Sequence, residues 1–293
     1  MQATAIAQPN IALIKYWGKR DLDHNLPAVG SISITLRDLF TRMHVAFDDA
    51  LAADTLVVND APDTSMLPRL SACLDRVAGE ARPRAHIAST CNFPIAAGLA
   101  SSASSFAALT VAAAAALGRS LDAGELARLA GRTSGSSARS LFGGFVELAN
   151  VGDDIEVTNI CEADAWPMTV VIAITEIGPK PVGSSEAMEI SRRTSPFYAS
   201  WVEQQADDLA MARTAIAARD FDALRTVAEH NCLKMHSIMW ASRPPVVYWN
   251  AATLRCLETV RGLQADGVPV FFTIDAGPQV KAVCLPEGAA RVE

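Results

Sequence analysis

Four short segments bring polar residue types together in patterns that could do chemistry. In "TIDAGP" Asp275 ends an apolar run just before a Gly-Pro turn. A carboxylate there is either a turn residue bonded to Gly277 or an acid/base presented by a rigid strand. In "SGSSARSLFGG" the small residues Ser134, Gly135, Ser136, Ser137 and Ala138 precede Arg139. Such a platform with one guanidinium suits bidentate recognition of a carboxylate or phosphate, the plainer alternative being a linker with a surface arginine. In "NIALIKYWGKRD" Lys15 and Lys19 are one turn apart if helical and on one face if extended, so either conformation can offer two cations to one ligand. A solvated lysine pair is the plainer reading, but Tyr16, Trp17 and Gly18 between them point to close approach. In "NFPIAAGLASSAS" Pro94, Gly98 and the serines Ser101, Ser102 and Ser104 open an alanine-rich helix pattern. The start of a helix carries open N–H donors and the positive end of the dipole, which suits a phosphate; a packed loop with a serine cap is the alternative. The segment lacks G-x-x-x-x-G-K-[ST], so any phosphate must be held by backbone N–H groups and hydroxyls. His230 and His236 lie on a helical pattern without a third ligand, and capping or packing roles are expected of them.

The elements that must position these groups are mixed. Strands are expected at "TAIAQPNIALIKYW", "SISITL", "TRMHVAF", "TLVVND" and "RAHIAST", and helices at "LPRLSACLDRVAGEA", from Ser102 to Leu117, and at "LDAGELARLAGRTSG" with Asp122 near its start. "GGFVELANVG" reads as a hairpin element. A buried strand in "AWPMTVVIAITEIG" opens a second domain near Trp166, giving expected domains over 1–165 and 166–293. Three long helical patterns follow from Ser195, and the strands "VPVFFTIDAG" and "VKAVCL" come last. Strict βαβ alternation is absent, so the class expected is α+β.

Composition sets the outer limits. The chain has 293 residues, half of them hydrophobic, with a formal net charge of −7. That balance argues against nucleic-acid or anionic-membrane partners, yet leaves room for a local cationic pocket. The six cysteines are scattered without a C-x-x-C pair, as expected of free thiols in a cytoplasmic protein. The longest apolar run, Phe106 to Leu117, is shorter than the roughly 20 residues of a membrane span.

Taken in order, "PNIALIKYWGKRD", "NFPIAAGLASSAS", "SGSSARSLFGGFVE" and "TIDAGP", with "KPVGSSEAM", "TSP", "MHS" and "PPVVYWN" between the last two, resemble the diphosphomevalonate decarboxylases over nearly the whole chain. These belong to the superfamily of galactokinase, homoserine kinase and mevalonate kinase. The resemblance implies a two-domain α+β small-molecule kinase fold: an N-terminal domain with a left-handed βαβ unit and a ferredoxin-like C-terminal domain. It implies ATP and Mg²⁺ as cofactors and a small phosphorylated substrate, whose tertiary hydroxyl is phosphorylated before phosphate and CO2 leave. Asp275, Arg139 and Lys15 would be catalytic. Asn10, Tyr16, Trp17, Gly18, Lys19, Arg69 and Thr194 would bind substrate with Ser134 to Arg139. Gly98, Leu99, Ala100, Ser101 and Ser102 would hold the nucleotide phosphates, with Ser102 nearest the metal. A homodimer is expected on the same ground. A decarboxylase of the monophosphate and a mevalonate 3-kinase are the rival activities. The chain departs from the family pattern at Gln279, where asparagine is usual, and at Ala187, where glycine is usual. Its end, "PEGAARVE", reads as an opening helix, so a shortened C-terminal domain is expected.

Overall fold

The structure, a computed structural model, describes residues 1–93, 101–178 and 180–293. The first half of the chain builds two sheets. Strands β1 (Gln2–Ala7), β2 (Asn10–Ile14), β3 (Lys19–Asp21), β4 (Leu26–Pro27), β5 (Ser31–Thr35), β6 (Thr41–Asp48), β7 (Thr55–Val58) and β8 (Ala61–Pro62) lead into helix α1 (Leu67–Ala78). After β9 (Arg84–Cys91) come α2 (Ser101–Ala116), α3 (Ala123–Thr133), a 3-10 helix over Gly135–Leu141, β10 (Phe145–Val151) and β11 (Asp154–Cys161). One sheet runs β1-β6-β9-β7-β8, the other β11-β10-β5-β2, and β3 and β4 form a separate hairpin. All pairings are antiparallel except β7 with β9, which are parallel and joined through α1.

The second half adds β12 (Thr169–Ala173), α4 (Ser184–Thr194), α5 (Tyr198–Ala218), α6 (Phe221–Trp240), α7 (Ala251–Ala265), β13 (Val270–Ile274), β14 (Val280–Cys284), a 3-10 turn and α8 (Ala289–Val292). Its sheet runs β12-β14-β13.

Helix α2 is apolar on every side because it is the centre of the first half. Phe106, Leu109 and seven alanines are buried along it, which is the composition expected of an enclosed helix that neighbours must approach closely. The pattern of β5 explains the second sheet. In "SISIT" the side chains alternate, so Ile32 and Ile34 enter an apolar core with Leu209, Ile216, Leu224 and Phe271, while Ser31 and Ser33 face the other way. This core joins the halves: α5 and α6 cover β2 and β5, and Val283 of β14 packs into the same cluster. Helix α3 starts as expected at Asp122, whose side chain accepts from the Glu125 N–H while Glu125 reciprocates. All six cysteines are free, and no described helix is long and apolar enough to cross a membrane.

Two expectations need correction. The Ser-rich platform before Arg139 is not a flexible linker but a 3-10 helix with Ser137 to Ser140 buried. Lys15 and Lys19 share neither one helix nor one strand, because the chain turns between β2 and β3 at Gly18 (φ 96°).

Candidate active site

A cavity of about 580 Å³ opens between the two halves, lined by the end of β2, the start of α2, the 3-10 helix, the start of α4 and the loop after β13. Its cations are Lys15, Lys19, Arg69, Arg139 and Lys180, against the acids Asp275 and Glu186. A chain with net charge −7 thus concentrates positive charge at one cleft, the arrangement that attracts a polyanion.

Asp275 follows β13 and belongs to the turn at the end of that strand. Its carbonyl accepts from the Gly277 N–H at 2.7 Å, making the turn, while its carboxylate points to two ammonium groups. Lys15 Nζ is 2.7 Å from Oδ1 and Lys281 Nζ 3.3 Å from Oδ2. Burial pushes the carboxyl up, but these two charges outweigh it and hold the group well below the ordinary carboxylate range. The backbone of Lys15 is itself fixed: its N–H donates to Asn231 Oδ1 at 2.7 Å and its carbonyl accepts from Gln205 Nε2 at 2.8 Å.

Arg139 is 1 % exposed. Its Nε donates to Ser33 at 2.9 Å, and Nε and Nη2 to Asn10 Oδ1 at 3.3 and 3.2 Å; Nη1 donates to Ser31. The Asn10 amide in turn donates to Ser140 Oγ at 2.8 Å and the Ser136 carbonyl at 3.0 Å. Among the described residues no carboxylate lies within ion-pair distance of this guanidinium, and burial lowers it to about 10. A buried cation held only by neutral acceptors at a cavity wall is a receptor for an anion.

Tyr16 closes the same end. A Cβ on Gly135 would collide with the Tyr16 ring, so the close approach requires glycine there. The phenol oxygen is buried with no hydrogen-bond partner among the described residues, and burial raises it far above the ordinary tyrosine range, so it is a donor awaiting an acceptor. Trp17 lines the cavity with its indole packed in a cluster around Trp201 and Met239. Gly18 does not line it; Tyr198 lies against its α-carbon, and its positive φ makes the turn to Lys19. Lys19 faces Ser185 Oγ at 3.4 Å, and burial together with Arg69 lowers its ammonium.

Ser134, Gly135 and Ser136 line the cavity. Ser137 and Ala138 do not, because the three-residue period of the 3-10 helix turns them inward. The Ser137 hydroxyl donates to the Ala130 and Ser134 carbonyls, and Ala138 packs with Leu26 and Leu148. Thr194 also lies off the cavity: its hydroxyl donates to the Ile190 carbonyl and accepts from the Arg243 N–H. Ser102 lines the cavity at the start of α2, and Ser101 does not. Gly98, Leu99 and Ala100 lie outside the described residues. No cluster of three His, Cys, Asp or Glu able to hold a metal occurs among the described residues. One hydroxyl beside nucleotide phosphates would suit magnesium, which keeps several waters and needs few protein ligands. His236 is buried against the Ile274 carbonyl and Trp249, its imidazole pushed down by burial to about 3, in the packing role expected.

Sequence reasoning missed Lys281, Ser31 and Ser33. The only signal for Lys281 is one lysine inside an apolar strand, "VKAVC". The two departures are absorbed locally. Gln279 is 2 % exposed and joins the strand end at Thr175 and Glu176 to the Asp275 loop, and Ala187 is buried in the Trp17 cluster.

Two family models match the chain. Residues 7–158 match the model of the diphosphomevalonate decarboxylase-like N-terminal domain, and residues 170–289 that of the mevalonate 5-diphosphate decarboxylase C-terminal domain. The diphosphomevalonate decarboxylase of Candida albicans is 34% identical over 94% of this chain and 82% of its own length, and that of Homo sapiens 33% identical over 98% and 78%. Among solved structures, MDDEF in complex with MVAPP, AMPPCP and magnesium superposes with a TM-score of 0.94 at 35% identity, covering 100% of this chain and 91% of the other. Mevalonate diphosphate decarboxylase from Staphylococcus aureus gives 0.94 at 35%, covering 99% and 90%. The chain belongs to the diphosphomevalonate decarboxylase family.

Proposed function

We propose that the protein decarboxylates mevalonate 5-diphosphate with ATP, giving isopentenyl diphosphate, ADP, phosphate and CO2. The observation that carries this reading is the pairing of two opposed groups in one cationic cavity: an ionised carboxylate, Asp275, and a buried guanidinium, Arg139, that has no carboxylate of its own among the described residues. The substrate needs both, since its 3-hydroxyl must be phosphorylated and its carboxylate must be held until the carbon–carbon bond breaks.

Asp275 accepts the hydrogen bond of the 3-hydroxyl and takes its proton late, as the new O–P bond forms and the bond to ADP breaks. A carboxylate held so strongly ionised is a weak base, but phosphoryl transfer proceeds through a loose transition state that needs orientation more than proton abstraction. When bound, Mg·ATP supplies the transferred phosphoryl group. Ser102 and the start of α2 are assigned to its phosphates and metal, with Gly98, Leu99, Ala100 and Ser101. Lys15 neutralises charge at the transferring group. In the second step the C3–O bond breaks with phosphate departing, and the electrons of the C–COO⁻ bond form the alkene as CO2 leaves. Arg139 holds the carboxylate in line for this step, oriented by Asn10, Ser31 and Ser33. Tyr16, Trp17, Lys19, Arg69, Ser134 and Ser136 are assigned to the diphosphate end, the phenol of Tyr16 as a donor. Gly18, Ser137 and Ala138 shape that wall from behind, and Thr194 braces the end of α4.

The reading extends to the two-domain kinase-superfamily organisation. Domains over 1–165 and 166–293 are supported by the separate family matches on either side of Trp166, the first with a left-handed βαβ crossover through α1 and the second ferredoxin-like. It also includes a homodimer in the cytoplasm. ADP and CO2 measured in parallel with the diphosphate and the monophosphate test the activity; preference for the monophosphate, or ADP without CO2, would replace it with a rival. Light scattering tests the dimer.

A further inference from the structure

Behind Asp275, away from the cavity, stands a charge to which the reaction described above gives no task. Lys281 is the second of the five residues of β14, itself the middle strand of its sheet, and is 1 % exposed. Strand alternation puts it on the face of Val283, which enters the apolar core, and in register with Ile172 on one side and Thr273 on the other. An apolar side chain would suit that position better, because an ammonium there must be desolvated. Nor is Lys281 needed to neutralise Asp275, since Lys15 alone balances that carboxylate.

The two lysines divide the carboxylate. Lys15, which lines the cavity, holds Oδ1 at 2.7 Å; Lys281, which does not, holds Oδ2 at 3.3 Å. We infer that Lys281 is a positioning residue for phosphoryl transfer: it anchors Oδ2 so that Oδ1 faces the substrate hydroxyl, and it keeps Asp275 paired when Lys15 turns toward the transferring phosphoryl group. With Lys15 as sole partner, that movement would leave a half-buried carboxylate without a counter-charge. The inference rests on the decarboxylase reading above. The other groups facing this pair do not replace Lys281. From α6, Cys232 is a thiol raised by burial and His236 is neutral. From the 3-10 helix, Arg139 is bound to Asn10, Ser31 and Ser33. From the loop before α4, Lys180 donates to Ser184 Oγ at 3.0 Å.

The test is steady-state CO2 release at pH 7 for the wild type, Lys281→Met and Lys281→Arg, with kcat and KM read separately and thermal unfolding of each. Lys281→Met is expected to lose about tenfold or more in kcat with KM for both substrates within about threefold. Lys281→Arg, which keeps the charge, should recover most of kcat. Should Lys281→Met not fold, Lys281→Gln carries the same expectations. A folded neutral variant with wild-type kcat, a neutral variant whose loss lies in KM, or an arginine variant as slow as the neutral one would overturn the inference. Failure of the wild type to release CO2 would instead contradict the decarboxylase reading itself.

Discussion

Asn10 Oδ1 accepts from two nitrogens of Arg139 at once, Nε at 3.3 Å and Nη2 at 3.2 Å, and so orients the buried guanidinium without neutralising it. A carboxylate in the same place would be a better partner and a worse design, because it would occupy the charge meant for the substrate. Asn10→Asp is therefore expected to raise KM for mevalonate 5-diphosphate about tenfold or more, and Asn10→Ala to lower kcat/KM by a similar factor through a misaligned Arg139. Steady-state kinetics read both, and an aspartate variant with wild-type KM would contradict the role assigned to Asn10.

Asp275→Asn keeps the shape of the turn and removes the charge between the two lysines. Turnover should fall by about 10² to 10⁴, while substrate affinity, measured by calorimetry, stays within a few-fold. Turnover near the wild-type level would remove Asp275 from the reaction.

The pH dependence follows from the same ion pairs. The folded-state pKa of Asp275 is depressed, so its contribution to stability is complete above the unfolded carboxylate value of about 3.9 and is lost as pH falls through the lower folded value. No inflection of kcat/KM from Asp275 is expected between pH 5 and 8. His236 behaves differently. Its folded value of about 3 lies below the unfolded 6.5, so the unfolded chain gains a proton first as pH falls. Stability should decline from about pH 6.5 downward, by about 2 kcal/mol at pH 5 from this group. Urea unfolding of the wild type and His236→Gln at pH 7 and pH 5 isolates it: the variant should show the smaller loss.

Much of the site was legible in the sequence because its groups sit in segments that break ordinary patterns. Asp275 follows a strand of five buried residues, four of them apolar, and Arg139 follows a run of residues too small for a surface helix. What was not legible depends on which way a side chain turns. Alternation in "SISIT" shows two faces but cannot say that Ser31 and Ser33 meet an arginine over a hundred residues away. Ser137, Ala138 and Thr194 belong to the right segments, yet local geometry turns them to backbone carbonyls and apolar neighbours. Helix α4 went unread because only Ala187, Met188 and Ile190 of "SSEAMEISRRT" are apolar, too few to set a pattern over three turns.

The support beneath Lys15 is a buried polar network. Asn231 accepts from the Lys15 N–H and donates to Gln205 Oε1 at 2.9 Å and Asp208 Oδ2 at 2.6 Å, with Lys234 also on Asp208. Replacing one member leaves the others buried and unsatisfied. Asn231→Leu should cost about 2 to 4 kcal/mol in denaturant unfolding and lower kcat in the protein that remains folded. Unchanged stability would mean that β2 is held without this network.

The central claim is that phosphorylation and decarboxylation are coupled on one substrate in this cavity. The most direct measurement is the ratio of CO2 to ADP released from mevalonate 5-diphosphate with ATP and Mg²⁺, in the wild type and in Arg139→Lys. The account predicts one CO2 per ADP in the wild type and greatly reduced CO2 in the variant, where charge remains but the planar fork is lost. ADP without CO2 from the wild type, or undiminished CO2 from the variant, would contradict it.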